Sequence, residues 1–212
     1  MPVDVIIPVL DPEERQLSLT VDSILSQSTK PNKIIIVDSS RRPYMSDKRL
    51  VKVLHKPGMG GGDARKQGVD NSNSEYVMHI DWDSILVTED YIERGISHLQ
   101  KEGVAGAGGV IIPLKNGVIP RTIAEMEKYI DHPLLARNII HRREILGPHA
   151  RRVRSDERGE DIDIRRLVMS HGALIKDTGM VSTKDVPTTR QKDAIKTVEL
   201  VGVGAILDKL IR

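Results

Sequence analysis

An α/β fold built on a mostly parallel sheet is the architecture this sequence predicts, and three observations carry the prediction. Short β-branched runs alternate with helical stretches through the first half of the chain, the order that strand–helix–strand units produce. The run Lys33-Ile34-Ile35-Ile36-Val37 is apolar on both faces, as strands covered on both sides are. Asp38 and Asp81 both stand where such a strand ends, and ligands of open α/β sheets bind beyond the carboxyl ends of the strands.

The elements follow in order. Residues 3–8 read as a buried strand closed by Pro8. A loop over 9–13 leads to an amphipathic helix with Leu17, Val21, Ile24 and Leu25 on one stripe, and Pro31 and Asn32 mark its exit. Residues 33–37 and 50–54 are the second and third strands. A glycine-rich stretch over 57–62 precedes a helix over 63–71. A fourth strand over 76–80 ends in Asp81-Trp82-Asp83-Ser84, and Thr88 is placed to cap a helix running to about Lys101. Residues 104–113 predict one or two strands broken by Gly106, Gly108 and Gly109. Beyond them the pattern is less regular. Thr122 and Glu125 have capping-box spacing. Gly159 precedes Glu160-Asp161, which opens a helix with Ile164, Leu167 and Val168 inward, and residues 193–212 alternate charged and apolar positions at helical spacing.

Composition bounds the function. At 212 residues the chain holds one core. It reads as one domain with a ligand-binding half over 1–114, a second half over 115–190 and an amphipathic tail over 191–212. Lys plus Arg is 32 against Asp plus Glu of 30, a formal net charge of +2. That balance argues against general nucleic-acid binding, which needs a basic excess. Cysteine is absent, which removes disulfides, Cys-ligated zinc and a thiol nucleophile. Phe is absent too, with 4 Tyr and 1 Trp, so the core is aliphatic. No apolar run is long enough to span a bilayer, and the expectation is a soluble, cytoplasmic protein.

Five features carry chemistry. Asp81 and Asp83 share one face if the backbone stays extended. Such a pair can hold a hard divalent cation together with substrate phosphates, or cap the following turn, and the residues alone leave both open. Asp38 can accept hydrogen bonds from a base or ribose, or turn back on Ser39 and Ser40. Arg65, just inside its helix, offers a cation to a nucleotide. Arg142, Arg143, Arg151, Arg152, Arg154 and Arg158 form a dense cluster. It is either a solvated face or a grip for a diphosphate or an anionic acceptor. Glu160 and Asp161 suit a helix N-terminus, or a general base kept ionised by arginines.

Taken in order, these pieces resemble the family 2 glycosyltransferases of GT-A fold. The resemblance rests on Val5-Ile6-Ile7-Pro8, Val21-Asp22-Ser23-Ile24-Leu25-Ser26-Gln27 and Ile34-Ile35-Ile36-Val37-Asp38-Ser39-Ser40. It continues through Ala64-Arg65-Lys66-Gln67-Gly68, Asp81-Trp82-Asp83-Ser84 and Gly159-Glu160-Asp161. It covers residues 3–114 well and 159–172 less closely.

The resemblance implies a Rossmann-like mixed, mostly parallel sheet flanked by helices, and a nucleoside-diphosphate sugar donor bound with Mg²⁺ or Mn²⁺. It implies that Pro8 and Leu10 line the nucleotide pocket and that Asp38 and Arg65 contact the base or ribose side. Asp81 and Trp82 would belong to the donor site, Asp81 touching the ribose or a metal-bound water. Asp83, with Asp81 beside it, would hold the metal. Asp161 would be the base of an inverting transfer, with Glu160, Arg142, Arg143 and Arg158 toward the diphosphate or acceptor. Three departures stand out. Ser39 replaces a second aspartate, Lys66 stands where Asn is common, and no histidine follows His171.

Two other classes compete. A sugar-nucleotide nucleotidyltransferase normally carries glycines right after the first strand, where this chain has Pro8-Val9-Leu10-Asp11-Pro12. A non-catalytic nucleotide- or polyanion-binding module would use the arginine cluster alone. The acceptor class stays open among lipid phosphate, glycan and protein, with peripheral membrane contact through residues 193–212 as a further expectation.

Overall fold

The computed structural model describes residues 1–113, 138–147, 153 and 160–184. The capping box at Thr122–Glu125, Arg158 and the tail over 191–212 lie outside the described residues. The described elements are β1 (Val3–Val9), α1 (Glu14–Leu25), β2 (Lys33–Asp38), β3 (Val51–His55), α2 (Gly61–Asp70), β4 (Tyr76–His79), β5 (Ser84–Leu86) and α3 (Tyr91–Leu99). They continue with β6 (Val104–Pro113), β7 (Ile139–Arg142), α4 (Arg143–Leu146), α5 (Glu160–Met169) and β8 (Ala173–Lys184). All the strands join one sheet, in the order β3-β2-β1-β4-β7-β6-β8-β5.

The predicted α/β class holds. Strands β3, β2, β1 and β4 run parallel, β7 is antiparallel to β4 and β6, β8 is parallel to β6, and β5 is antiparallel to β8. Alternation along β1 explains why its sequence is apolar throughout. Val5 and Ile7 pack on Leu17, Val21 and Ile24 of α1 and Ile92 and Ile96 of α3. Ile6 turns the other way, toward Val69 of α2 and Ile164, Leu167 and Val168 of α5. Each fully buried aliphatic contributes about 1.5–3 kcal/mol, so both faces oppose a register slip. The register pairs Val9 with Asp38, Asp38 with His55 and Ile6 with His79. The carboxyl ends of β1, β2 and β4 therefore open on one edge.

Some expectations are corrected. Thr88 does not cap α3, which starts at Tyr91 with Asp90 at the N-cap position and no side-chain cap bond. The Thr88 hydroxyl instead accepts the Val181 N–H at 3.1 Å and ties α3's entry to β8. The glycines over 104–113 do not split the strand. β6 is continuous, with register irregularities at Val104/Gly106 and Gly108/Val110. A Cβ on Gly109 would lie 1.8 Å from the Met180 carbonyl oxygen, so β8 approaches a position where only glycine fits. No helix of the described residues is long and apolar enough to cross a membrane.

Candidate active site

A cleft of about 210 Å³ opens on the edge where β1, β2 and β4 end. Pro8, Val9 and Leu10 form one wall, with Ser39 beyond β2. The start of α2 supplies Met59, Gly61, Ala64 and Arg65, the segment after β4 supplies Asp81, Trp82 and Asp83, and α5 contributes Glu160.

Arg65 organises the polar floor. It is 4% exposed, and its Nη2 donates to Asp81 Oδ1 at 2.7 Å while its Nε stands 3.6 Å from Glu160 Oε1. Its Nε and Nη1 have no hydrogen-bond acceptor among the described residues. A buried guanidinium on the cleft wall therefore keeps donors for an anionic guest. Arg65, Asp81, Trp82, Asp83, Pro8 and Leu10, which the family resemblance assigns to the donor site, all line this cleft.

Asp38 is placed differently. It is fully buried; Oδ1 accepts the Ser40 N–H at 2.9 Å and Oδ2 the Tyr44 N–H at 2.6 Å. Its carboxylate shapes the loop after β2, and the adjacent Ser39 is the residue that reaches the cleft. Asp161 is 8% exposed in the first turn of α5, with Oδ1 accepting the Ile162 N–H at 2.9 Å. Its neighbour Glu160 lines the cleft.

Arg142 and Arg143 lie at the other end of the sheet. Because β7 runs antiparallel to β4, Arg142 pairs with Tyr76, the first residue of β4. Its guanidinium stacks over the Tyr76 ring and bonds Glu75 and the Leu99 carbonyl. Arg143 Nε donates to the Ser74 carbonyl at 3.1 Å. Neither lines the cleft, so the expectation that they stand toward the diphosphate or acceptor is corrected.

His79, two residues before Asp81, forms a fully buried pair with His141. Their Nε2 atoms are 3.1 Å apart, and His141 Nδ1 is 2.8 Å from the Arg142 carbonyl. A carbonyl only accepts, so His141 carries its proton on Nδ1 and His79 donates from Nε2. Burial pushes the His79 imidazole well below its usual range, reinforced by His141 and Arg65 and opposed by Asp81. Burial also lowers His141 to about 4, against a raising hydrogen bond to Arg142. Both rings are neutral at neutral pH.

The donor set fits a hard cation. Asp81 and Asp83 both line the cleft, and Mg²⁺-type sites use one or two carboxylates completed by phosphates and water. No group of three or more metal-ligating side chains occurs among the described residues.

Comparison with known proteins fits this geometry. The model of the family described as "Glycosyl transferase family 2" matches residues 4–156. This chain belongs to that family. No curated protein sequence matches it significantly. Among solved structures of similar fold, the chain resembles S. aureus TarS 1–349 at 12% identity and a TM-score of 0.62, over 87% of this chain and 60% of that one. It also resembles the mannosyltransferase PcManGT from Pyrobaculum calidifontis, solved in complex with GDP-Man and Mn²⁺. That match has 18% identity and a TM-score of 0.60, over 98% of this chain and 64% of that one. The chain thus spans less than two thirds of either protein, and at these identities the likeness shows the shared GT-A fold.

The sequence alone does not single out Ser39, Met59 and Ala64 as wall residues of the cleft. Met59 and Gly61 fall in the glycine-rich stretch over 57–62, but nothing local says which of its residues face a ligand.

Proposed function

We propose that this chain transfers a sugar from a nucleoside-diphosphate sugar to an acceptor hydroxyl by a metal-dependent, inverting mechanism with Asp161 as general base. The observation that carries the reading is the cleft at the strand ends, where buried Arg65 with unused N–H groups stands beside the carboxylates of Asp81 and Asp83. That combination accepts a diphosphate and a hard cation together. Family membership supports the donor class, and the GDP-Man and Mn²⁺ bound to PcManGT support a divalent ion.

Asp83 and Asp81 would hold Mg²⁺ or Mn²⁺, which when bound neutralises charge developing on the leaving nucleoside diphosphate. Arg65 adds donors to the same charge from a low-dielectric position. Pro8 and Leu10 flank the nucleotide and shield it from water. Asp161 takes the acceptor proton as its oxygen attacks the anomeric carbon from the face opposite the leaving group. Glu160 is the second carboxylate for this role, because it and not Asp161 lines the cleft.

A thermal-shift panel of UDP-, GDP- and dTDP-sugars with and without Mn²⁺ tests the donor. A ligand at a hundredfold its Kd adds about 2.7 kcal/mol of stability. Asp83→Ala is expected to abolish the Mn²⁺-dependent part of that gain, and a gain that survives intact refutes the metal role. Asp161→Asn is expected to keep donor binding and lose transfer. If Glu160→Gln loses transfer while Asp161→Asn keeps it, Glu160 is the base.

A further inference from the structure

The face of α1 that packs on the sheet carries buried polar side chains. Gln16 is 4% exposed, Thr20 is fully buried and Gln27, just past the helix end, is 2% exposed. With Ser23 they follow helical spacing along one edge, and each bonds backbone in residues 82–92. The Thr20 hydroxyl lies 2.6 Å from the Trp82 carbonyl oxygen, nearer than its alternative acceptor, the Gln16 carbonyl, at 3.2 Å. Gln16 Nε2 reaches the Asp83 carbonyl at 3.5 Å. Ser23 Oγ accepts the Leu86 N–H at 3.1 Å. Gln27 donates to the Thr88 carbonyl at 2.8 Å and accepts the Ile92 N–H at 3.2 Å.

The lower two contacts anchor β5 and the entry to α3. The Thr20 contact falls inside Asp81-Trp82-Asp83. The Trp82 carbonyl belongs to the peptide that joins Trp82 to Asp83, and a peptide is planar. Fixing that oxygen fixes the plane from which the Asp83 Cα departs. It thereby sets how the Asp83 carboxylate stands relative to Asp81, whose own place is set by Arg65.

We propose that Thr20, supported by Gln16, is a positioning residue that holds the Asp81–Asp83 segment in the geometry its two carboxylates need to bind together. The effect on cation binding rests on the function proposed above; the effect on the segment does not.

Trp82 is the chain's one tryptophan, so its fluorescence reports on this segment directly. Two quantities are measured on the full chain: acrylamide quenching of Trp82, and the Mn²⁺ concentration that half-saturates the Trp82 emission change with GDP or UDP present. Thr20→Val keeps the shape and removes the hydroxyl. It is expected to raise the quenching constant and to raise the half-saturating Mn²⁺ about fivefold, the worth of one net hydrogen bond. Thr20→Ser is expected to restore both. If the valine variant does not fold, Thr20→Ala replaces it, since it leaves room for a water at the carbonyl. Gln27→Leu is the control, expected to lower Tm while leaving both Trp82 readouts unchanged. Quenching in Thr20→Val equal to wild type overturns the proposal, as does an equal rise in Gln27→Leu. A wild type whose emission ignores Mn²⁺ with both nucleotides refutes the proposed cation site, while the quenching comparison still decides the role of Thr20.

Discussion

Arg65 Nη2 donates to Asp81 Oδ1 across 2.7 Å while the same guanidinium faces Glu160 at 3.6 Å, so one buried cation separates two cleft carboxylates. Their side chains are 15% and 12% exposed, against 4% for Arg65. Removing the cation takes from both acids the guanidinium that they face, and breaking a buried pair from one side costs about 3–5 kcal/mol. Arg65→Ala is expected to lose stability on that order in urea unfolding. Mn²⁺ is expected to recover part of its Tm, because a divalent ion replaces the missing charge. Arg65→Lys keeps the charge but not the planar fork, and is expected to fall between. An Arg65→Ala variant as stable as wild type would show that Arg65 is not the keystone of the floor.

The buried His79–His141 pair predicts a pH dependence whose sign is fixed. Both imidazoles titrate lower in the fold than the usual 6.5, His141 at about 4. The unfolded chain therefore binds more protons over that interval, and stability rises with pH there. The contribution is complete above 6.5 and is lost progressively as pH falls toward the folded value. Unfolding measured from about pH 7 down to about pH 5 is expected to show a falling Tm. The double variant His79→Leu with His141→Leu removes both partners together, which leaves no orphaned donor between them, and its curve is expected to be flatter. Parallel curves would mean that this pair does not titrate on unfolding.

Much of this was legible in sequence, for definite reasons. Ile34 to Val37 is apolar throughout because both sheet faces are covered, and that state writes itself into every residue. Arg65, Asp81 and Asp83 were found because a strand end and a helix start are local events that place their residues at the ligand edge. The direction of β7 was not local. Its four residues pair with Tyr76–His79, and three of them with Gly106–Gly108, all far away in sequence, and the antiparallel pairing is what carries Arg142 and Arg143 to the wrong end for the cleft. Asp38 was ambiguous for another reason. A carboxylate at a strand end can face a ligand or its own loop, and the Ser40 and Tyr44 N–H groups that claim it take position only in the fold.

Asp177 gives a second acid-side prediction, away from the cleft. It accepts bidentately from Arg94 at 2.9 and 3.0 Å, lies 2.8 Å from His98 Nε2, and takes the Gly179 N–H at 2.8 Å. Burial raises its pKa, but these donors outweigh it and hold the carboxyl at about 2. Its contribution is present above the usual 3.8 and is lost as pH falls through the folded value. Asp177→Asn is expected to lower Tm at neutral pH and to match wild type more closely near pH 2. A Tm deficit that does not shrink on acidification would place the cost in lost packing instead.

Asp4 shows the same logic at the amino end of β1, where an acid is buried inside a sheet strand. It is fully buried, yet Oδ2 accepts from the Ser72 hydroxyl at 2.7 Å and from the Asn73 and Ser74 N–H groups at 3.1 and 3.3 Å. Oδ1 accepts from Asn32 Nδ2 at 3.1 Å. Burial pushes its pKa up, and the four donors more than offset this, so the carboxyl titrates below its usual range. One side chain thus ties the α2–β4 loop and the α1–β2 loop to β1. Asp4→Asn turns an acceptor into a group whose NH₂ confronts donors, and it is expected to cost about 3 kcal/mol at neutral pH. The sign follows from the depressed pKa: the gap to wild type is full above 3.8 and narrows as pH falls below it. Asp4 lies beside Lys33 and Val77 in the sheet register, toward the end opposite the cleft. The Mn²⁺ and nucleotide response of Trp82 is therefore expected to be unchanged in the variant. Urea unfolding at neutral and acid pH, read beside that response, separates a brace of the fold from a part of the site. A variant that loses nucleotide binding while keeping its stability would reverse the assignment.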